Sequence, residues 1–96
     1  MKSLADLRAE IDDLDGQMAL ILKRRLAVVD EIGAMKKVSG APVVDPNREK
    51  EILSRVSDIV GERFADDATR LFAALFDISR SRQKGDRPQF ANQGRM

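Results

Sequence analysis

The chain has 96 residues, the size of a single domain, and its 17 basic side chains nearly cancel its 16 acidic ones to leave +1. That balance supplies no broad field for nucleic acid or an anionic membrane, and no apolar run is long enough to span a bilayer or to form the core of a signal peptide. Cys and His are both absent, which excludes a disulfide scaffold, a zinc–thiolate or iron–sulfur centre, a Cys nucleophile and the usual general base near neutral pH. With four Phe and neither Trp nor Tyr, the chain also offers little for stacking on bases. The composition describes a small cytoplasmic domain with no metal and no cofactor. If it is an enzyme, it works with Arg, Lys, Asp, Glu, Ser and Gln.

Proline is missing from the first 41 residues, and Gly occurs there only at Gly16, Gly33 and Gly40. Leu4, Ile11, Met18 and Ile32 share one heptad position; Leu7, Leu14, Ile21, Val28 and Met35 share another. Steps alternating between three and four residues describe a helix with a continuous apolar seam. The spacing predicts one helix over Leu4–Val38, N-capped by Ser3 with Asp6 in its first turn. Gly16 falls on its outward face, where it costs about 1 kcal/mol relative to Ala. Ser39-Gly40-Ala41-Pro42 stops the helix. Asp45 then caps a second helix with Pro46 in its first position; Ile52, Leu53, Val56, Ile59 and Val60 form its stripe and Gly61 ends it. A short polar link leads to a third helix over Ala65–Arg82, with Asp66 or Asp67 near its start. Its Ala68, Leu71, Phe72, Leu75, Phe76 and Ile78 cover an arc wide enough for burial on more than one side. Residues 1–83 therefore read as one all-α domain of one long and two shorter helices. Residues 84–96, KGDRPQFANQGRM, read as a disordered tail.

The long helix makes a rod of about 50 Å, whereas a compact domain of this size is only about 35 Å across. Two shorter helices cannot cover both of its ends. The simplest remedy is a homodimer in which the long helices pack together.

Several polar residues interrupt the apolar stripes. Arg25 occupies the heptad position of Leu4, Ile11, Met18 and Ile32, and Arg8 and Lys36 each follow a seam residue. Glu49 shares the stripe of Ile52, Leu53 and Val56, while Ser79 and Gln83 continue the row of Phe72 and Phe76. Each has a plainer reading on its own. Arg25 could set register against an internal carboxylate, and Arg8 and Lys36 could snorkel at the rim. Ser79 could be a small packing residue bonded to its own helix, and Gln83 a frayed helix end. Together they place three cations, one carboxylate, one hydroxyl and one amide on or beside inward stripes of separate helices. One inward acid does not balance several inward cations, so the site calls for an anion with more than one carboxylate. Asp12, Asp13, Lys23, Lys37 and Glu62 read as solvated. There is no nucleophile–base pair, ligand cluster or phosphate loop, which leaves two mechanisms: holding a substrate in a reactive shape, and stabilising developing charge with fixed donors.

Four stretches, LADLRAEIDDLD at 4–15, KRRLAVVDEIGAMKK at 23–37, PVVDPNREKEIL at 42–53 and LFAALFDISRSRQ at 71–83, resemble the all-helical chorismate mutases. The combination in order is specific: an Arg in the first turns, an Arg mid-helix, a Lys after the Gly, a D-P-x-R-E-K turn, and Ser and Gln four apart. The resemblance implies an intertwined three-helix homodimer with helix-bundle packing and two active sites for the dianion chorismate. It implies that Arg8 enters the partner's site, that Arg25 holds a carboxylate, and that Lys36 contacts a carboxylate and the ether oxygen of the breaking bond. It further implies that Glu49, helped by backbone near Asp45, binds the ring hydroxyl, that Ser79 supports the ring carboxylate, and that Gln83 donates to the ether oxygen. The implied reaction is the Claisen rearrangement of chorismate to prephenate in phenylalanine and tyrosine biosynthesis, with another enzyme of that route as a possible partner.

Two enzymes on the same scaffold are the nearest rivals: an isochorismate–pyruvate lyase and a mutase for an amino analogue of chorismate. Glu49 suits a neutral hydroxyl, which favours chorismate. A non-catalytic helical dimerisation module would leave inward Arg25, Lys36 and Glu49 unexplained, and a nucleic-acid-binding dimer would lack a basic face.

Overall fold

The computed structural model of the chain describes residues 1–85, which form α1 (Leu4–Ser39), α2 (Pro46–Val60) and α3 (Glu62–Lys84). Ser3 and Asp6 close the start of α1 reciprocally: the Ser3 hydroxyl accepts from the Asp6 backbone N–H, and the Asp6 carboxylate accepts from that of Ser3, both at 3.1 Å. Gly40 ends the helix, its N–H donating to the Lys36 carbonyl. Asp45 caps α2 by accepting from the Arg48 N–H at 3.1 Å, and Pro46 follows in the first turn.

The third helix departs from the sequence expectation. It begins at Glu62 rather than Ala65, so the expected polar link is Gly61 alone, and Glu62 rather than Asp66 or Asp67 sits in the first turn. Gly61 has φ 82° and ψ 166°, a conformation open to a residue without Cβ, and this lets one residue end α2 and begin α3. At its other end α3 runs past Arg82 to Lys84, with Gly85 as a left-handed cap. The rest of the expected tail, residues 86–96, lies outside the described residues.

The third helix is the centre of the fold, packing against α2 on one side and α1 on the other. Its contact with α1 is confined to the C-terminal half of the long helix. Every residue from Leu4 to Arg24 is exposed, and the first partly buried position of α1 is Arg25. The buried positions of α1 are Val29 and Gly33, which lie beside the heptad seam rather than on it. The seam itself faces outward in the single chain, with Leu4 62%, Ile21 60% and Met35 73% exposed. Ile59 on α2, and Leu71 and Ile78 on α3, are also exposed despite their place in apolar stripes. The result is extended, 56 Å along its longest axis with a radius of gyration of 16.5 Å, against about 13 Å for a compact domain of this length. No helix among the described residues is long and apolar enough to cross a membrane.

Candidate active site

Because α3 separates α1 from α2, a trough opens between the two outer helices, with α3 as its floor. It encloses a cavity of about 430 Å³, a size suited to a small organic ligand. The C-terminal half of α1 contributes Arg25, Val28, Val29, Ile32 and Lys36 to its wall. The connection adds Val43 and Asp45, and the first turns of α2 add Arg48, Glu49 and Ile52. The floor is Phe76, Ser79, Arg80 and Gln83, at three- and four-residue spacing along α3. Phe76 is buried and meets Phe72 edge to face with centroids 6.2 Å apart, which fixes the floor beneath the polar groups.

Two hydrogen-bonded pairs tie α1 to α3 inside this cavity. Arg25 Nη1 donates to Ser79 Oγ at 3.0 Å, and Ser79 Oγ donates in turn to the Leu75 carbonyl at 2.7 Å. Ser79 is thus bonded to its own helix, the plainer of its two sequence readings, and it also orients a guanidinium. Lys36 Nζ donates to Gln83 Oε1 at 2.8 Å and to the Val43 carbonyl at 3.2 Å. An ammonium has three protons, so one remains for a ligand. The same bond turns the Gln83 amide, leaving its NH₂ to donate. Outside the cavity, Arg82 clasps Asp30 through two bonds of 2.9 and 2.6 Å, a bidentate brace between the same helices. That hydrogen bond raises the Arg82 guanidinium above its ordinary value.

Of the residues expected at the site, Arg25, Lys36, Asp45, Glu49, Ser79 and Gln83 all line the cavity. Arg8 does not: it lies exposed in the first turns of α1, about 25 Å along the helix axis from Arg25. Sequence reasoning passed over Arg48 and Arg80, which also line the cavity. The signal for Arg80 was its place four residues after Phe76, beside Ser79; that for Arg48 was its place next to Glu49 in the capped first turn of α2.

These two arginines change the charge count. Glu49 is the acceptor of a short ion pair, Arg80 Nη1 to Glu49 Oε2 at 2.6 Å, rather than a lone inward acid. Four cations against two carboxylates leave the lining two positive charges in excess. Among the described residues, Arg25 and Lys36 meet only neutral acceptors within it. Such a lining suits a dianion, held by charge-assisted hydrogen bonds to fixed donors.

The sequence matches the family described as Chorismate mutase type II over residues 7–84. The chain is 27% identical to a protein named chorismate mutase from Methanocaldococcus jannaschii, over 88% of its own length and 87% of the relative's. It is 35% identical to the intracellular chorismate mutase of Mycolicibacterium smegmatis, over 69% of its own length and 64% of the relative's. A bifunctional chorismate mutase/prephenate dehydratase from Aquifex aeolicus is 34% identical over 58% of the chain, which spans only 16% of that longer protein. No solved structure matches the chain significantly.

Proposed function

The chain belongs to the type II chorismate mutase family, an isomerase of aromatic amino-acid biosynthesis that converts chorismate to prephenate, and we propose that this reaction takes place in the cavity between α1, α2 and α3. The observation that carries the assignment of the site is the pair of donors, Lys36 and Gln83, joined at 2.8 Å at one end of a lining with two positive charges in excess.

The substrate is a dianion that must fold into a chair-like shape before it reacts. A carbon–oxygen bond then breaks as a carbon–carbon bond forms, with no proton transferred. Arg25, set by Ser79, grips one carboxylate. Lys36 uses its remaining proton between a carboxylate and the ether oxygen. The Gln83 NH₂ donates to the same oxygen, and Glu49, near the Asp45 cap, accepts from the ring hydroxyl. Negative charge grows on the ether oxygen in the transition state, so donors aimed there bind the transition state better than the substrate. Charge-assisted hydrogen bonds contribute about 1.5–3 kcal/mol each, and three or four reach the ~8 kcal/mol of a million-fold acceleration if they add.

The site is completed by a second copy of the chain. The seam from Leu4 to Ile21 is apolar, regular and uncovered, which supports pairing of long helices in a homodimer. Arg8 sits on that segment, too far from Arg25 to share a site within one chain but able to enter the partner's. The Aquifex protein's second activity uses prephenate, which supports association of this chain with other enzymes of the same route. The name of the Mycolicibacterium relative supports an intracellular location.

The test is to mix the purified protein with chorismate and follow prephenate, with isochorismate in parallel. Turnover of chorismate alone, abolished in Arg25→Ala while the helical signal persists, is the expected outcome. Undiminished turnover by Arg25→Ala would move the reaction out of this cavity.

A further inference from the structure

Among the described residues, the Glu49–Arg80 pair is the one charge pair in the cavity wall that joins α2 to α3. At 2.6 Å it is short, and its side chains are only 26% and 29% exposed, so water screens it less than the surface pairs. Arg80 also approaches Asp77 at 3.8 Å, but Asp77 is 83% exposed and one turn back on the same helix, so Glu49 is the partner that fixes the guanidinium. Among the described residues Glu49 Oε1 accepts no hydrogen bond, and this oxygen is left for a ligand. An unpaired carboxylate here would do two things: repel the carboxylates of a dianionic substrate, and attract a cation at the ring position it faces. Arg80 cancels both effects while keeping Glu49 oriented as an acceptor.

We propose that Arg80 is a specificity-determining residue: by pairing with Glu49 it makes the wall select a neutral hydroxyl over an ammonium on the substrate ring. This rests on the cavity being the site of the mutase reaction. Arg80 acts through Glu49 as a positioning residue, so its signature is a ratio between substrates rather than a loss of activity alone.

The experiment compares kcat/KM for chorismate and for its amino analogue, in which an ammonium replaces the ring hydroxyl. The wild-type protein must prefer chorismate; equal use of the two overturns the proposal without any variant. Arg80→Met should shift the ratio toward the amino analogue by at least about tenfold, the effect of unmasking one charge at hydrogen-bond range. Arg80→Lys keeps the positive charge and should hold the ratio within about threefold of wild type. In the double variant Glu49→Gln/Arg80→Gln, which removes both charges, the shift should vanish. If Arg80→Met lowers both substrates equally in a folded protein, Arg80 is only structural and the proposal falls. Failure of the underlying site reading looks different: Lys36→Met would then leave chorismate turnover intact.

Discussion

The two halves of α1 carry the same apolar spacing and meet opposite fates. From Leu4 to Arg24 every side chain is exposed, whereas from Arg25 onward the helix lies against α3 and supplies five residues of the cavity wall. The difference lies in what interrupts the pattern. In the C-terminal half, Arg25 and Lys36 find hydrogen-bond partners on α3, and Gly33 lets that helix come close. The N-terminal half has a seam that nothing among the described residues covers. A long amphipathic helix can thus be packed by its own chain at one end and left open at the other.

The largest effect should come from the half that builds the site. Lys36→Ala removes a charged donor from the developing negative charge and should lower kcat by about a thousandfold, in the range of other lost transition-state donors. Circular dichroism should show the helices intact, because the Asp30–Arg82 brace and the α2–α3 packing remain. A variant that loses only stability would remove Lys36 from the catalytic residues.

The second effect joins the two halves. Arg8→Ala and Lys36→Ala should each be nearly inactive alone. When the two proteins are unfolded together and refolded as an equal mixture, half of the dimers are mixed, and one of the two sites in each mixed dimer is undamaged. Activity should return to about a quarter of wild type, roughly a hundredfold above either parent. A mixture no better than its parents would mean that Arg8 acts within its own chain or not at all.

Third, the reaction should vary little between about pH 5 and 9, because the Gln83 amide donates without titrating. Gln83→Glu makes the donor depend on a proton. Lys36, 2.8 Å from the present amide oxygen, would hold the introduced carboxyl below its ordinary range. Activity should therefore rise toward acid and fall about tenfold per pH unit once that carboxyl ionises. A flat profile for Gln83→Glu would take residue 83 away from the ether oxygen.

What the sequence made legible follows from how local each signal is. The caps at Ser3, Asp45 and Gly61 are set by neighbours within a few residues, and the helix ends they mark are where they were expected. Arg25, Lys36, Glu49, Ser79 and Gln83 stood out because each lies on or beside an apolar row. Arg80 did not, since the partner that gives it a role, Glu49, lies on another helix far away in sequence. The start of α3 was hidden because a glycine signals a helix end, while the Gly61 backbone ends one helix and begins the next. The heptad seam stays exposed in the single chain, and the face that packs within the chain is the one through Val29 and Gly33 beside it. No periodicity within α1 tells which apolar face packs against its own chain and which stays exposed.

Gly33 gives the finest test of the contrast between the halves. A Cβ built there would lie 3.0 Å from the Gln83 Cα and 3.5 Å from its Cβ, with backbone rather than a flexible tip in the way. Gly16, in the exposed half, has nothing within 4 Å. The same change, Gly→Ala, should therefore have opposite signs at the two positions. At Gly16 it adds about 1 kcal/mol of helix stability and leaves kcat unchanged. At Gly33 that gain is overtaken by overpacking, typically about 1–3 kcal/mol, as α3 is pushed away from α1. Widening that contact lengthens the Lys36–Gln83 bond and shifts both donors relative to the ether oxygen. Gly33→Ala should then lower kcat several-fold, with a lower Tm by thermal melting. Equal effects at the two glycines would mean that the close approach of α3 to α1 does not set the donor geometry, and that the halves of α1 differ in burial alone.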